Sequence, residues 1–276
     1  MRRGFIRQAL FDLAGIAVFV VMVFPIYWMI STALKPGREI LSLTPYWVPS
    51  PITFENFTTA VNVPFFWNDV VNSLVVVGTV VIISVILAFL AAVAVARFGF
   101  RGRTAFVLML IGVQMVPLNA LVIPIYLLLD RVDQVDSLPG VIVCYLAVVL
   151  PFMTWTLRGF VANVPVDLED AAMVDGASRV GAFIRITFPL VAPGLVATAI
   201  YGFIQAWNEY IIAYVLLSSS EKQTLTIWLA SFTTQHGTDW GGLMAGATLT
   251  ALPVVIFFLL VQRQVQGGLT AGAVKG

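Results

Sequence analysis

Five charged side chains crowd one short stretch of a chain that is otherwise largely apolar. In LEDAAMVDGASRVGAFIRITFPL, residues 168–190, they are Glu169, Asp170, Asp175, Arg179 and Arg185. A second chemically capable group is Glu209, in FIQAWNEYIIAY (203–214), the one ionisable residue well inside an apolar run. A third is His236, which stands beside Asp239 and Trp240 and is the only histidine in the chain. One histidine excludes a His-Glu-x-x-His zinc site and leaves no second imidazole for a protein metal centre. The only lysines are Lys35, Lys222 and Lys275. None sits in the Gly-Lys-Ser/Thr context of a phosphate-cradling loop, so the chain does not bind ATP in that way. No aspartate pair lies mid-run, and a Ser-His pair would have to be reached from a loop, so no complete catalytic constellation is present.

The elements that carry these residues are set by composition. The chain has 276 residues, 60% hydrophobic and 11% charged, with a mean hydropathy of +0.97. Soluble domains run near about 45–50% apolar and about 25% charged. The excess is gathered in six runs, roughly 12–34, 70–96, 104–129, 139–162, 189–217 and 243–262. Each approaches or exceeds the ~20 residues that cross about 30 Å of hydrocarbon. The expected fold is therefore all-α, a polytopic membrane protein with six transmembrane helices and one domain over 1–276. The first run follows Arg2, Arg3 and Arg7 and exceeds the usual length of a signal-peptide core, so it reads as an uncleaved span. The single cysteine, Cys144, cannot form an intrachain disulfide.

Basic residues set the expected orientation. One side collects eleven, including Arg2, Arg3, Arg7, Arg97, Arg101, Arg103, Arg179 and Arg185; the other holds four, Lys35, Arg38, Arg131 and Lys222. The excess places both termini and the 163–189 segment in the cytoplasm. A net charge of +1 points to no nucleic-acid partner. The third span carries Gln114, Asn119, Pro117 and Pro124. Two readings stand there: ordinary proline kinking, or the lining of a cavity. Glu209 lies about 30 Å up its helix from Pro189 at 1.5 Å per residue. It either caps the outer end of that helix or lines a path with Trp207 and Asn208.

In the polar segment, Pro165 suits a first helical turn, and Asp167, Glu169 and Asp170 suit its positive end. Gly176 fits the left-handed position that closes the helix. Ser178 is placed to cap a second short helix running through Phe183. Leu168, Ala171, Ala172 and Asp175 share one face, and the paired alanines there admit close approach of another backbone. The helix is acidic and small, so an anionic membrane surface repels it. A tight turn packing on its own helix ends is the alternative.

Asp170-Ala171-Ala172-x3-Gly176-x9-Ile186-x-Phe188-Pro189 resembles the E-A-A-x3-G-x9-I-x-L-P motif of permease subunits in binding-protein-dependent ABC importers. Asp170 replaces Glu and Phe188 replaces Leu. The six-run layout, Asn72-Ser73, AWNEY at 206–210 and the ending QGGLTAGAVKG (266–276) look like carbohydrate-transporting members, the second-subunit type of maltose permease. The resemblance implies a permease that imports a sugar, a di- or oligosaccharide, and is not itself an enzyme. It implies an ATPase-docking face of Leu168, Asp170, Ala171, Ala172, Asp175, Gly176, Ala177 and Phe183. It also implies a cytoplasmic tail, 263–276, whose Gly267, Gly268, Leu269 and Thr270 reach the ATPase interface. The implied partners are a second permease subunit, two ATP-binding subunits that carry the ATP, and an extracytoplasmic sugar-binding protein, in a bacterial cytoplasmic membrane. A stand-alone secondary transporter is the competing class; it would show internal repeats and more buried ionisable groups.

Overall fold

The computed structural model describes the backbone of residues 2–273, and the side chains of residue 8 and residues 11–262. The chain is helical almost throughout and divides into two compact units, Met1–Phe66 with Trp228–Leu252, and Trp67–Ile227 with Pro253–Gly276.

In the first unit, α1 (Arg2–Ala33) carries a long apolar run, Phe11–Ala33, and its side chains from Phe11 through Tyr27 are exposed in the isolated chain. A helix apolar all round with nothing over it needs lipid or another protein as its solvent. A long loop follows, with the single turn α2 (Gly37–Ile40) and the helix α3 (Glu55–Asn62). Asn56 holds that loop to the end of α1: its Nδ2 donates to the carbonyls of Ala33 and Lys35 at 2.9 and 2.8 Å. The first of these is a carbonyl that the C-terminus of α1 leaves without an intrahelical partner.

The second unit is built on α4 (Phe66–Arg97), whose 32 residues end on the guanidinium of Arg97. The expected third span is two helices, α5 (Arg103–Gln114) and α6 (Leu118–Asp130), bent by 101° at Met115–Pro117. The apolar run predicted one helix there. Pro117 supplies no N–H and disfavours helical geometry at Val116, which ends α5 and starts α6 afresh. The described residues therefore hold five helices long and apolar enough to span, plus this broken pair.

Next, α7 (Leu138–Ala162) is capped by Ser137, whose Oγ accepts from the Gly140 amide, and half of its spanning window is buried. It packs along α10 (Phe188–Trp207), where small residues let the helices meet closely. A Cβ built on Gly194 would lie 2.4 Å from Cγ of Phe160, and one on Gly202 would lie 3.1 Å from the sulfur of Met153. Between these helices come α8 (Val166–Val174) and α9 (Arg179–Ala182), described below. The expected fifth span, 189–217, is shifted. Its helix already begins at Arg179 and stops at Trp207; a break at 208–210 separates it from α11 (Ile211–Leu216). After α12 (Leu225–Ala230), a two-residue antiparallel pair, Thr233–Thr234 with Gly237–Thr238, leads to α13 (Trp240–Ala273). His236 sits exposed in that turn.

Candidate functional site: the polar elbow

The elbow has the two helices and the hinge its sequence predicts. Pro165 stands just before the first turn of α8 rather than within it, with φ −58° and ψ 133°, and Asp167 and Glu169 occupy that turn. Gly176 has φ +92°, with nothing within 4 Å of the position a Cβ would take. The turn closes through the Ala177 amide, which donates to the Ala172 carbonyl at 2.9 Å. Ser178 Oγ accepts from the Gly181 amide at 3.1 Å and starts α9. One expectation needs correction. The second helix does not end before Pro189 but runs through a π-helical segment, Phe183–Thr187, directly into α10. Proline is tolerated at a helix's first positions, and the wider π turn carries the chain across without a break.

What anchors the elbow is Glu169, behind α8. Its Oε1 lies 2.9 Å from Nη2 of Arg97, and Thr187 Oγ1 donates to the same oxygen at 2.5 Å. Nη1 of Arg97 donates to the Val164 carbonyl at 3.0 Å. The two charged side chains are only 11% and 14% exposed, and Thr187 is fully buried. Three elements, the end of α4, α8 and the π segment, therefore meet on one carboxylate. An ion pair this sheltered holds position, because losing either partner strands the other charge. From sequence, Glu169 is assigned to the helix's positive end and Arg97 to the basic cytoplasmic side, and nothing pairs them with each other or with Thr187. The signal was available in part, since Glu169 lies one position off the Leu168–Ala172–Asp175 face.

The outward face is as small and acidic as its composition suggests. Leu168, Asp170, Ala171, Asp175 and Gly176 are exposed, and Ala172 and Ala177 are half-buried. Phe183 differs from the rest: its ring packs 5.8 Å from that of Phe89 and lines a cleft with Val93, Arg97 and Met173. It braces the elbow against α4 more than it presents a surface. The tail residues Gly267, Gly268, Leu269 and Thr270 lie outside the residues whose side chains are described.

The family model described as "Binding-protein-dependent transport system inner membrane component" matches residues 8–270. The chain belongs to that family. It is thus a multi-pass membrane component of a transport system, not an enzyme. It is 44% identical over 276 residues, the full length of both, to the diacetylchitobiose uptake system permease protein DasC of Streptomyces coelicolor. It is 35% identical over 254 residues, 91% of this chain and 92% of the other, to the trehalose transport system permease protein SugB of Mycobacterium tuberculosis. In fold it is similar to a chain from the crystal structure of a bacterial ABC transporter involved in import of the acidic polysaccharide alginate. The TM-score there is 0.80 at 21% identity, covering 95% of this chain and 98% of that one.

Within this membrane component the expected path residues do not come together as one group. Gln114 and Asn119 are exposed on either side of the break between α5 and α6, and Gln114 Nε2 turns back to the Leu110 carbonyl. Asn208 is exposed and donates to the Ile204 carbonyl at 2.8 Å. Trp207 is buried, stacked 5.5 Å from Phe203. Glu209 turns its carboxylate to the amides of Ile212 and Ala213 at 2.8 and 3.2 Å, so it caps α11. The helix it caps is the separate α11, not the outer end of the helix that rises through Pro189. Trp207 and Glu209 share a narrow cavity with Ser73, Tyr145, Thr224 and Thr226, remote in sequence from Gln114 and Asn119.

At the other end of the helices, loops are laced by polar contacts. Asn72 Nδ2 donates to the carbonyls of Glu221 and Gln223 at 3.0 and 2.9 Å, and Ser73 Oγ accepts from the Leu225 amide at 2.8 Å. Asp136, at φ +52°, accepts from the Ser218 and Ser219 amides and the Ser219 hydroxyl, and pairs with Lys222 at 3.0 Å. The Ser219 hydroxyl, then the Ser219 amide, hold its carboxyl well below the usual range, against a modest opposing effect of burial.

Proposed function

We propose that this chain is one of two membrane-spanning subunits of an ATP-driven importer of a di- or oligosaccharide. It pairs with a related permease subunit and rests on two ATP-hydrolysing subunits, which carry the ATP; it binds no cofactor of its own. An extracytoplasmic sugar-binding protein delivers the cargo. Both termini and the elbow face the cytoplasm. The contacts support that orientation: Arg97 and Glu169 join the loop at 97–103 and the elbow on the arginine-rich side. Asn72 and Asp136 gather the opposite loops, which hold Lys222.

The observation that carries the reading is the elbow itself. An exposed small-residue face is offered outward while a sheltered ion pair holds it from behind, so a force on α8 is passed to α4 and α10. Contact over a few hundred Å² at about 25 cal/mol/Å² supplies only several kcal/mol, much of it offset by association costs. Assembly accordingly needs further contacts, for which the tail at 263–276 is the candidate. The diacetylchitobiose and trehalose systems among the relatives support a sugar as cargo.

The test is cysteine crosslinking from positions 171 and 175 in intact membranes. Capture of the ATP-hydrolysing subunit is expected, and its loss on Ala172→Trp. Uptake that survives ATPase loss but collapses with proton uncouplers would overturn the reading in favour of a secondary transporter.

A further inference from the structure

The first unit contains a cavity of about 450 Å³ at the end of α1, bounded chiefly by Trp28, Thr32, Lys35, Glu39, Tyr46 and Trp240. That size falls inside the roughly 300–1,000 Å³ range of small-molecule sites. Neither the elbow nor the Glu209 cavity involves these residues.

Its polar groups are buried without being used up. Lys35 is 2% exposed, Glu39 6% and Thr32 8%. The Thr32 hydroxyl is buried with no hydrogen-bond partner among the described residues. Lys35 sets its Nζ 4.0 Å from the centre of the Trp28 ring. Burial lowers its pKa from the ordinary lysine value, with Glu39 partly opposing. Glu39 spends one contact on the Ser50 amide, at 3.2 Å, where a carboxylate offers about four acceptor sites. Buried polar groups normally find partners in the fold or in ordered water, so this cluster keeps donors and acceptors that an entering polar group can use.

The walls say what enters. Trp28, Tyr46 and Trp240 line the cavity beside those polar groups, and Lys35 covers one face of the Trp28 ring. A pyranose has matching halves: C–H faces that lie on aromatic rings, and hydroxyls that both donate and accept. An acyl chain would leave Lys35, Glu39 and Thr32 unpaired, and a phosphate would be repelled by Glu39. With one cation and one anion, the cavity suits an uncharged ring. We infer that this pocket binds a single neutral sugar ring of the transported saccharide, on the outer side, before it reaches the path between subunits. The inference rests on the saccharide-import reading and on the orientation given above.

The test uses the complete transporter in lipid nanodiscs without its binding protein. Saturation-transfer NMR is recorded with maltose, trehalose and diacetylchitobiose, and with inorganic phosphate. Uptake of the same sugars is measured in proteoliposomes that include the binding protein. Lys35→Met should weaken the sugar contact about tenfold, and Thr32→Val about fivefold. Thr32→Val should leave the melting temperature unchanged, because the hydroxyl has no internal partner to lose. Sugar uptake with a nanodisc signal insensitive to both substitutions would overturn the pocket and leave the importer reading standing. A signal from phosphate alone, or release of co-purified lipid by Lys35→Met without any sugar effect, would do the same. Absence of uptake for all three sugars would overturn both.

Discussion

Removing the Glu169 carboxylate should loosen the elbow while leaving the helical bundle intact. Glu169→Ala leaves the Arg97 guanidinium, 11% exposed, without its counter-charge at 2.9 Å, in a cleft that Val93, Met173 and Phe183 share with Asp170 and Arg179. Breaking one side of such a sheltered pair costs about 3–5 kcal/mol. The Thr187 bond adds a share of about 1 kcal/mol that overlaps with it. At about 1.4 kcal/mol per factor of ten, the lower bound still raises local opening by roughly a hundredfold. The assay is amide hydrogen exchange of the full transporter in nanodiscs, comparing residues 166–187 with the buried centre of α7. Protection should fall by about two decades in the elbow and remain unchanged around Met153 and Leu157. Arg97→Met combined with Glu169→Ala removes both charges and should recover most of the lost protection; measured with Arg97→Met alone, it closes a double-mutant cycle with favourable coupling. Elbow protection within threefold of wild type for Glu169→Ala would refute the anchoring argument, since that leaves no room for an uncompensated buried charge.

Four shorter predictions follow from the same contacts. Gly176→Val meets no steric neighbour but must hold φ near +92°; the cost is about 1–2 kcal/mol of backbone strain. Insertion should survive while sugar moved per ATP hydrolysed falls, measured in proteoliposomes. Gly194→Ala drives a methyl towards the Phe160 ring, so the melting temperature should drop in line with about 1–3 kcal/mol of overpacking, and Phe160→Leu should restore it. For Asp136, the folded carboxyl is held below its unfolded value. Its stabilisation is therefore complete above about pH 4 and is lost as pH falls through the folded pKa. Exchange in loop 217–223 should rise in acid, and in Asp136→Asn at neutral pH, since asparagine tolerates the left-handed backbone. Glu209→Ala should cost about 1 kcal/mol through loss of the α11 cap; Glu209→Gln, which keeps an acceptor, should retain transport. Abolished uptake in Glu209→Gln with an intact α11 would return that residue to the translocation path.

Long apolar runs, the Gly176 hinge, the Ser178 cap and the outward face of α8 were all legible without coordinates, because each depends on residues within a few positions of one another. Lipid demands runs of near 20 apolar residues wherever the chain crosses, and only glycine adopts the left-handed turn freely. The break at Pro117 was also locally encoded, but hydropathy averages over a window and hides a single missing N–H. What local order cannot express is pairing over distance. Arg97 and Glu169 are separated by 72 positions (169 minus 97), and Asp136 and Lys222 by 86. Whether each charge meets its partner, water or nothing is decided by how the helices converge. The same holds for the pocket at Trp28 and Trp240, which the chain builds only by bringing the end of its first helix to the start of its last.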